Sequence, residues 1–190
     1  ELQGALVRSH AAGMGPPVEP EVVRAMMLLR ARTLAMGRSG ARPELAEAIL
    51  ALLDAGLVPV VPEHGSLGAS GDLAPLAHCA LVLIGEGAVH GPDGAPVPAA
   101  PELDRAGIEP LTLRAKEGLA LINGTDGMLG MLVLALHDLA ALLRVADLTA
   151  AMSVEALLGT DRVFAEDLIA LRPQPGQALS AHNLRSVLAG

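Results

Sequence analysis

The helical segment at residues 127–158 is the feature that most restricts the fold. Thr125 or Asp126 can cap its start, and Gly159 follows its last residue. A helix of ~32 residues at ~1.5 Å per residue would be ~48 Å long. Leucines at helical spacing and many alanines make it apolar nearly all round, as in the middle of a bundle. Because the other helices of the chain are too few to surround it, we expect partner chains or further segments to cover it.

The rest of the chain is also predicted to be mainly helical. Pro20 and Gly37 bracket one segment, and Pro43 and Gly56 bracket another, which is the usual asymmetry of helix ends. The turn sequence Gly-Pro-Asp-Gly at 91–94 separates two short extended runs and predicts a small exposed β-hairpin. The predicted helices are 21–36, 44–55, 73–84, 101–106, 113–122, 165–171 and 177–188, and 57–62 is expected to be extended or loop.

Aromatic side chains are almost absent, with one Phe, no Trp and no Tyr. The core must therefore consist of Ala, Leu, Val, Ile and Met, and no reaction within these residues can use a tyrosine as acid or base. With 13 Lys and Arg against 21 Asp and Glu, the net charge is −8. A nucleic-acid surface needs clustered cations and stacking rings instead, so we expect no nucleic-acid partner.

The sequence also bears on the compartment. A single cysteine, Cys79, cannot form an internal disulfide, which fits a reducing compartment. No basic stretch followed by an apolar run indicates a signal peptide, and the longest apolar run, 128–136, is shorter than the ~20 residues that span a bilayer. We expect a cytoplasmic protein with no membrane partner. Since the chain begins at Glu1 and not at Met, we also expect it to be a piece of a longer protein.

Most familiar catalytic patterns are missing from the sequence. Ser70 lacks the Gly-x-Ser-x-Gly spacing of a hydrolase, and the chain has neither a P-loop nor a dinucleotide fingerprint. Asn123-Gly124 taken alone is most often a turn. No metal site is predicted, because no metal-ligand spacing occurs among the six histidines, which are His10, His64, His78, His90, His137 and His182.

The segment 65–78, GSLGASGDLAPLAH, has more small residues than a plain loop before a helix needs. Its centre, Ala69-Ser70-Gly71, permits an unusual backbone reaction. The amide nitrogen of Gly71 can attack the carbonyl carbon of Ala69 and close a five-membered ring. Loss of water and dehydration of Ser70 then leave a conjugated exocyclic methylidene. Glycine tolerates the close approach, and Asp72, which follows, is expected to cap the next helix or else to orient the loop.

This fourteen-residue context resembles the signature of the aromatic amino acid ammonia-lyases, in which Ala-Ser-Gly becomes 4-methylideneimidazole-5-one (MIO). The resemblance extends along the whole chain. Residues 8–13, RSHAAG, resemble the substrate-side segment of the family, and residues 116–125, KEGLALINGT, resemble its second active-site segment. Within the family, Ser9-His10 resembles the histidine ammonia-lyase branch, whereas phenylalanine and tyrosine enzymes usually carry Phe-Leu or His-Leu there.

The resemblance implies non-oxidative elimination of ammonia from L-histidine to give trans-urocanate, through an MIO formed autocatalytically from residues 69–71 without an external cofactor. It implies that Asn123, helped by the Gly124 amide, donates hydrogen bonds to the negative charge that develops. It places His10 against the substrate imidazole. A phenylalanine or tyrosine ammonia-lyase, an aminomutase of the same family and a catalytically inert helical oligomerisation fragment stay open as alternatives.

The resemblance also implies a mainly α fold, in which an MIO-bearing helical domain with a small β-hairpin leads into a long-helix bundle. In the family, helices of four subunits form that bundle, so we expect a homotetramer. Residues 1–122 are expected to form part of the MIO-bearing domain, and 123–190 the start of the bundle. The family's catalytic tyrosines, carboxylate-binding arginine and late glutamate belong to segments outside this sequence. We therefore expect this piece alone to be inactive.

Overall fold

Helices dominate the computed structural model, which describes residues 1–67 and 71–189. Within these residues there are nine α-helices, one 3-10 helix and four short strands. In chain order they are α1 (Leu2–His10), β1 (Met14–Pro17), α2 (Pro20–Ala35), α3 (Pro43–Asp54), β2 (Pro62–His64), α4 (Leu73–Leu83), β3 (Ala88–His90), β4 (Pro96–Pro98), α5 (Ala99–Arg105), α6 (Glu117–Ile122), α7 (Asp126–Ala156), the 3-10 helix (Asp161–Phe164), α8 (Glu166–Ile169) and α9 (Pro175–Leu188).

The expectation of a mainly helical chain with one long helix and a small hairpin is confirmed. Proline occupies the first turn of α2 and of α3, as predicted from the sequence. Strands β3 and β4 pair antiparallel, with Val89 opposite Val97. The Gly94 amide donates to the Gly91 carbonyl at 2.9 Å, and Gly94 has a φ of +81°, which closes the turn where glycine is the favoured residue.

Two local predictions need correction, and two features were not predicted. The helix expected at 113–122 begins only at Glu117, because Lys116 has a φ of +72° and a left-handed residue cannot extend a right-handed helix. The helix expected at 165–171 is shortened to α8 and follows a 3-10 turn. Helix α1 and the antiparallel pairing of β1 with β2 were not predicted from the sequence. Helix α1 buries only Val7, so it shows no apolar stripe.

The chain divides into two compact units, Glu1–Leu134 and Ala135–Gly190. In the first unit, α2 packs on α3, while α1, α4 and α6 pack on one another. Their buried side chains form one cluster, and each large aliphatic residue in it contributes about 1.5–3 kcal/mol to folding through burial. The largest of these side chains are Met26, Leu45, Leu52, Leu76, Leu103, Leu121 and Ile122. The boundary expected between residues 122 and 123 concerns the domains of a longer protein and stays a prediction.

The second unit contains most of α7 together with α8 and α9. Asn183 of α9 donates to Asp147 of α7 at 2.7 Å, and Arg185 donates to the Phe164 carbonyl at 2.5 Å. The apolar side chains of α7 stay largely exposed, for example Leu142 at 62% and Leu143 at 59%. By length and composition alone, the segment Glu117–Ala156 is also apolar enough to cross a membrane. That partner chains or further segments cover the apolar surface of α7 remains a prediction.

Helix α6 is anchored at its start by a buried carboxylate. Glu117, whose side chain is 2% exposed, accepts from Arg42 Nε at 2.6 Å and from Arg42 Nη2 at 2.8 Å. It also accepts from the Arg114 amide at 2.7 Å. These donors, led by the Arg42 guanidinium, lower the pKa of Glu117 from its ordinary 4.5 to about 2. The bidentate pair joins the loop before α3 to the start of α6.

We predict that Glu117→Gln destabilises the protein by about 1–2 kcal/mol at neutral pH, after discounting for solvent around Arg42. Because the folded-state pKa is depressed, this contribution is complete above about pH 4.5 and is lost as the pH falls towards about 2. Urea unfolding at pH 6 and at pH 3 measures both effects. The variant should lose less stability on acidification than the unmodified protein, and equal losses would contradict the prediction.

The matched control for this experiment is Glu86→Gln. Glu86 pairs with Arg8 at 2.6 Å, but both side chains are exposed. Exposed ion pairs contribute little because water competes for both partners. The control should therefore leave the unfolding midpoint almost unchanged.

Candidate active site

Gly71, the last residue of the Ala-Ser-Gly tripeptide, packs closely against neighbouring segments. Ala69 and Ser70 lie outside the described residues. Gly71 is buried, has a φ of +89°, and its carbonyl accepts from the Leu67 amide at 3.1 Å. A Cβ placed on it would lie 3.0 Å from Thr125 Cγ2 and 3.0 Å from Met128 Cε. Both the backbone conformation and the space therefore require glycine at this position.

Asp72 connects the start of α4 to the start of α7. Its amide donates to the Gly124 carbonyl at 2.9 Å, and its Oδ2 accepts from the Met128 amide at 3.0 Å. The predicted capping of α4 by Asp72 is wrong, because no side-chain cap bond is formed there. The carboxylate instead satisfies an amide in the first turn of α7, where the helix dipole favours negative charge.

Asn123 and Gly124 form the junction between α6 and α7. Asn123 is exposed and has a φ of −93° and a ψ of 95°, just after the last residue of α6. It lines a cleft of about 360 Å³ together with Lys116, Leu119 and Thr125. The structure thus brings the second active-site segment of the sequence against Gly71, through contacts of Gly71 with Gly124 and Thr125.

A buried ion pair at this junction was missed by the sequence analysis. Arg30 of α2 and Asp126 of α7 pair with side-chain exposures of 5% and 7%. Arg30 Nη1 also donates to the carbonyls of Ala120 and Asn123, each at 3.3 Å. Of the two caps predicted for the long helix, Thr125 directly precedes the first residue of α7 and its carbonyl accepts from the Leu129 amide at 3.0 Å. Asp126 is the first residue inside the helix and bonds Arg30 instead. The available signal was the position of Arg30 on the apolar stripe of α2, close to Met26 and Met27 at helical spacing.

The other predicted site residue, His10, is the half-buried last residue of α1. Its Nδ1 lies 2.8 Å from the Leu6 carbonyl and 3.0 Å from Ser9 Oγ. Since a carbonyl can only accept, Nδ1 is the donor in the contact with Leu6. Within residues 1–67 and 71–189, no hydrogen bond joins His10 to Gly71 or Asn123.

The chain after His10 packs against the segment that leads to the tripeptide. The Gly13 amide donates to His78 Nε2 at 3.2 Å, and a Cβ on Gly65 would lie 3.4 Å from Gly13 Cα. Burial lowers the pKa of His78, which favours the neutral ring that this acceptor role requires. The substrate-side and tripeptide-bearing segments of the sequence are therefore neighbours.

Other reactive groups of the described part do not assemble into a second site. Among residues 1–67 and 71–189, no group of three His, Cys, Asp or Glu side chains is placed to hold a metal ion. Cys79 is buried, and burial raises the pKa of its thiol to about 12. It is therefore protonated at neutral pH and is a poor nucleophile.

Proteins of known sequence show what this arrangement is similar to. The histidine ammonia-lyase of Streptomyces avermitilis is 63% identical over 190 residues, covering 100% of this chain and 37% of its own length. That of Deinococcus radiodurans is 55% identical, covering 100% of this chain and 36% of its own length. The chain therefore spans about a third of the length of these curated relatives.

Solved structures agree with the sequence comparison. The histidine ammonia-lyase of Trypanosoma cruzi superposes with a TM-score of 0.91 at 42% identity, over 97% of this chain and 36% of that one. The tyrosine aminomutase of Streptomyces globisporus gives 0.92 at 44% identity, over 100% of this chain and 35% of that one. A family model described as aromatic amino acid lyase matches residues 1–190. This match along the whole sequence shows that the chain belongs to the aromatic amino acid lyase family.

Proposed function

We propose that this chain is the tripeptide-bearing part of a histidine ammonia-lyase, which eliminates ammonia from L-histidine to give trans-urocanate. The observation that carries the proposal is the 63% identity to a protein of that name along the entire chain. The packing of Gly71 against the Gly124–Thr125 segment supports it, because it brings together the two motifs that the chemistry needs.

The electrophile of the proposed reaction is formed by residues 69–71. The Gly71 nitrogen adds to the Ala69 carbonyl carbon, whose oxygen leaves as water, and the Ser70 hydroxyl leaves with the α-hydrogen as a second water. The positive φ of Gly71 and the hydrogen bond from the Leu67 amide to its carbonyl fit a segment whose backbone turns back on itself. Once formed, the MIO methylidene supplies a carbon that takes up the substrate amine and makes it a better leaving group.

Asn123 and Gly124 are proposed to stabilise the negative charge that develops in the transition state. Their segment lies against the end of the tripeptide, because Gly71 packs on Thr125 and the Asp72 amide donates to the Gly124 carbonyl at 2.9 Å. Donors that are already in place lower the barrier because they need no reorganisation during the reaction. Removing one such donor typically slows turnover by about 10²–10³-fold.

His10 is proposed to recognise the imidazole of the substrate. With its Nδ1 proton directed to the Leu6 carbonyl, its Nε2 lone pair can accept the ring N–H of L-histidine. A site that hydrogen-bonds a polar ring rejects an apolar ring, because its own polar group would stay unsatisfied.

The remaining parts of the proposed enzyme lie outside this sequence. We propose a cytoplasmic homotetramer in which other segments supply the base for the β-hydrogen and the group that binds the substrate carboxylate. The similarity to tyrosine aminomutase at a TM-score of 0.92 favours one second candidate, an aminomutase acting on an aromatic amino acid. The products separate the two, since an aminomutase gives a β-amino acid and the lyase gives an unsaturated acid.

Intact-mass measurement tests formation of the electrophile. The protein is expected to be lighter than its sequence mass by two water molecules, since ring closure and serine dehydration each release one. Ser70→Ala should not show this loss of two water molecules, because alanine has no hydroxyl group to eliminate. The full sequence mass in the unmodified protein would favour an inert helical fragment.

Turnover of L-histidine tests the reaction and the role of Asn123. The full-length protein should raise the ultraviolet absorbance of urocanate, and Asn123→Ala should lower kcat about 10²–10³-fold through loss of a donor. The same variant should keep the mass loss of the ring. Near-normal turnover in Asn123→Ala would rule out its donor role.

Substrate competition tests His10. His10→Phe should shift the ratio of kcat/KM for L-histidine and L-phenylalanine towards phenylalanine, because the polar partner of the imidazole is lost. Ser9→Ala serves as the control, since it removes the hydroxyl 3.0 Å from Nδ1 but keeps the imidazole and its contact with the Leu6 carbonyl. An unchanged ratio in His10→Phe would count against the assignment.

A further inference from the structure

Arg30 is the one charged side chain of α2 that is buried, and its polar contacts lie at the α6–α7 junction. The Nη2 atom pairs with Asp126, and Nη1 donates to the carbonyl of Asn123 at 3.3 Å and to that of Ala120 at 3.3 Å. Placing a guanidinium in the interior is costly unless its hydrogen bonds are made. Acceptors at this one junction satisfy Nη1 and Nη2, which are two of the three guanidinium nitrogens.

These contacts orient the peptide bond between Asn123 and Gly124. No cis peptide bond occurs in the described residues, so the carbonyl and the amide of each peptide point in opposite directions. Because Arg30 holds the Asn123 carbonyl, the Gly124 amide points away from Arg30. Within residues 1–67 and 71–189, no backbone or side-chain group accepts a hydrogen bond from that amide. The next carbonyl, that of Gly124, is held by the Asp72 amide at 2.9 Å.

Only glycine fits beside the guanidinium. A Cβ on Gly124 would overlap Arg30 Nη2 and would lie 2.5 Å from Asp126 Oδ2. The ion pair therefore occupies the space that a side chain at 124 would need. A lysine at position 30 could pair with Asp126, but a single ammonium lacks the planar fork that reaches the carboxylate and the carbonyls together.

We propose that Arg30 is a positioning residue for the reaction, which fixes the direction of the Asn123–Gly124 peptide and so presents the Gly124 amide as a donor next to Gly71. This inference rests on the proposed function. It assigns Arg30 no contact with substrate or with the reacting atoms. Loss of Arg30 would allow the peptide to rotate, and transition-state stabilisation would fall while substrate recognition persists.

The test compares variants of the full-length protein. Arg30→Met should lower kcat about 10²-fold, as expected for loss of one preorganised donor, with KM changed less than about threefold and the ring still detected by mass. Arg42→Met is the matched control, since it makes the same substitution and breaks the ion pair with Glu117 at the other end of α6. It should lower the thermal midpoint with kcat within about twofold of the unmodified protein.

A second pair of measurements keeps the test decisive if Arg30→Met does not fold. Arg30→Lys retains a cation beside Asp126 and should fold, yet lose most of kcat. In Arg30→Ala, millimolar guanidinium should restore kcat, whereas the same concentration of sodium chloride should not. A folded Arg30→Lys with normal kcat, or a kcat loss in Arg30→Met no larger than in Arg42→Met, would overturn the proposal.

Failure of the inference can be told apart from failure of the proposed function. If the unmodified protein forms no urocanate, the proposed function has failed. The peptide direction is then still tested by a crystal structure of Arg30→Met. A rotated Asn123–Gly124 peptide supports the positioning role, and an unchanged peptide excludes it.

Discussion

The buried pair of Arg30 and Asp126 is the interaction on which the candidate site depends. It joins α2 to the first residue of α7, and through the Asn123 carbonyl it also holds the end of α6. Removing one partner of such a pair leaves an unpaired charge in the interior, which is strongly destabilising. Replacing both partners by well-packed apolar residues often changes the free energy of unfolding little. The charge is therefore better explained by the geometry it imposes on the junction than by stability alone.

Two glycines make that geometry possible. Gly124 leaves room for the guanidinium, and Gly71 accepts a positive φ against the side chains of Thr125 and Met128. Both lie where backbone segments from distant parts of the sequence meet, and neither is a flexible hinge. The site is thus built mainly from backbone groups, whose positions are set by the elements that flank them.

The sequence predicts the elements with local signals and misses the contacts that arise between distant segments. Proline and glycine mark the ends of α2 and α3, and the hairpin follows from its turn. The start of α6 could not be predicted, because the positive φ of Lys116 accompanies a carboxylate that pairs with Arg42 far earlier in the chain. The role of Asp72 could not be predicted for the same reason. Local sequence patterns predict that its side chain caps α4, but they carry no information on the Met128 amide, 56 residues away. The two active-site motifs were identified by resemblance, and their proximity comes only from the fold.

The double attachment of Asp72 has a consequence for the order of events during folding. Both of its partners, the Gly124 carbonyl and the Met128 amide, are synthesised more than fifty residues after it. Contacts of such sequence separation form late, because closing a long loop costs entropy before any contact compensates for it. Gly71 gains its neighbours Thr125 and Met128 in the same step. In the proposed enzyme, a ring closure that relies on these neighbours has to wait until the first turn of α7 has docked. Formation of the proposed electrophile would then report that the junction has folded.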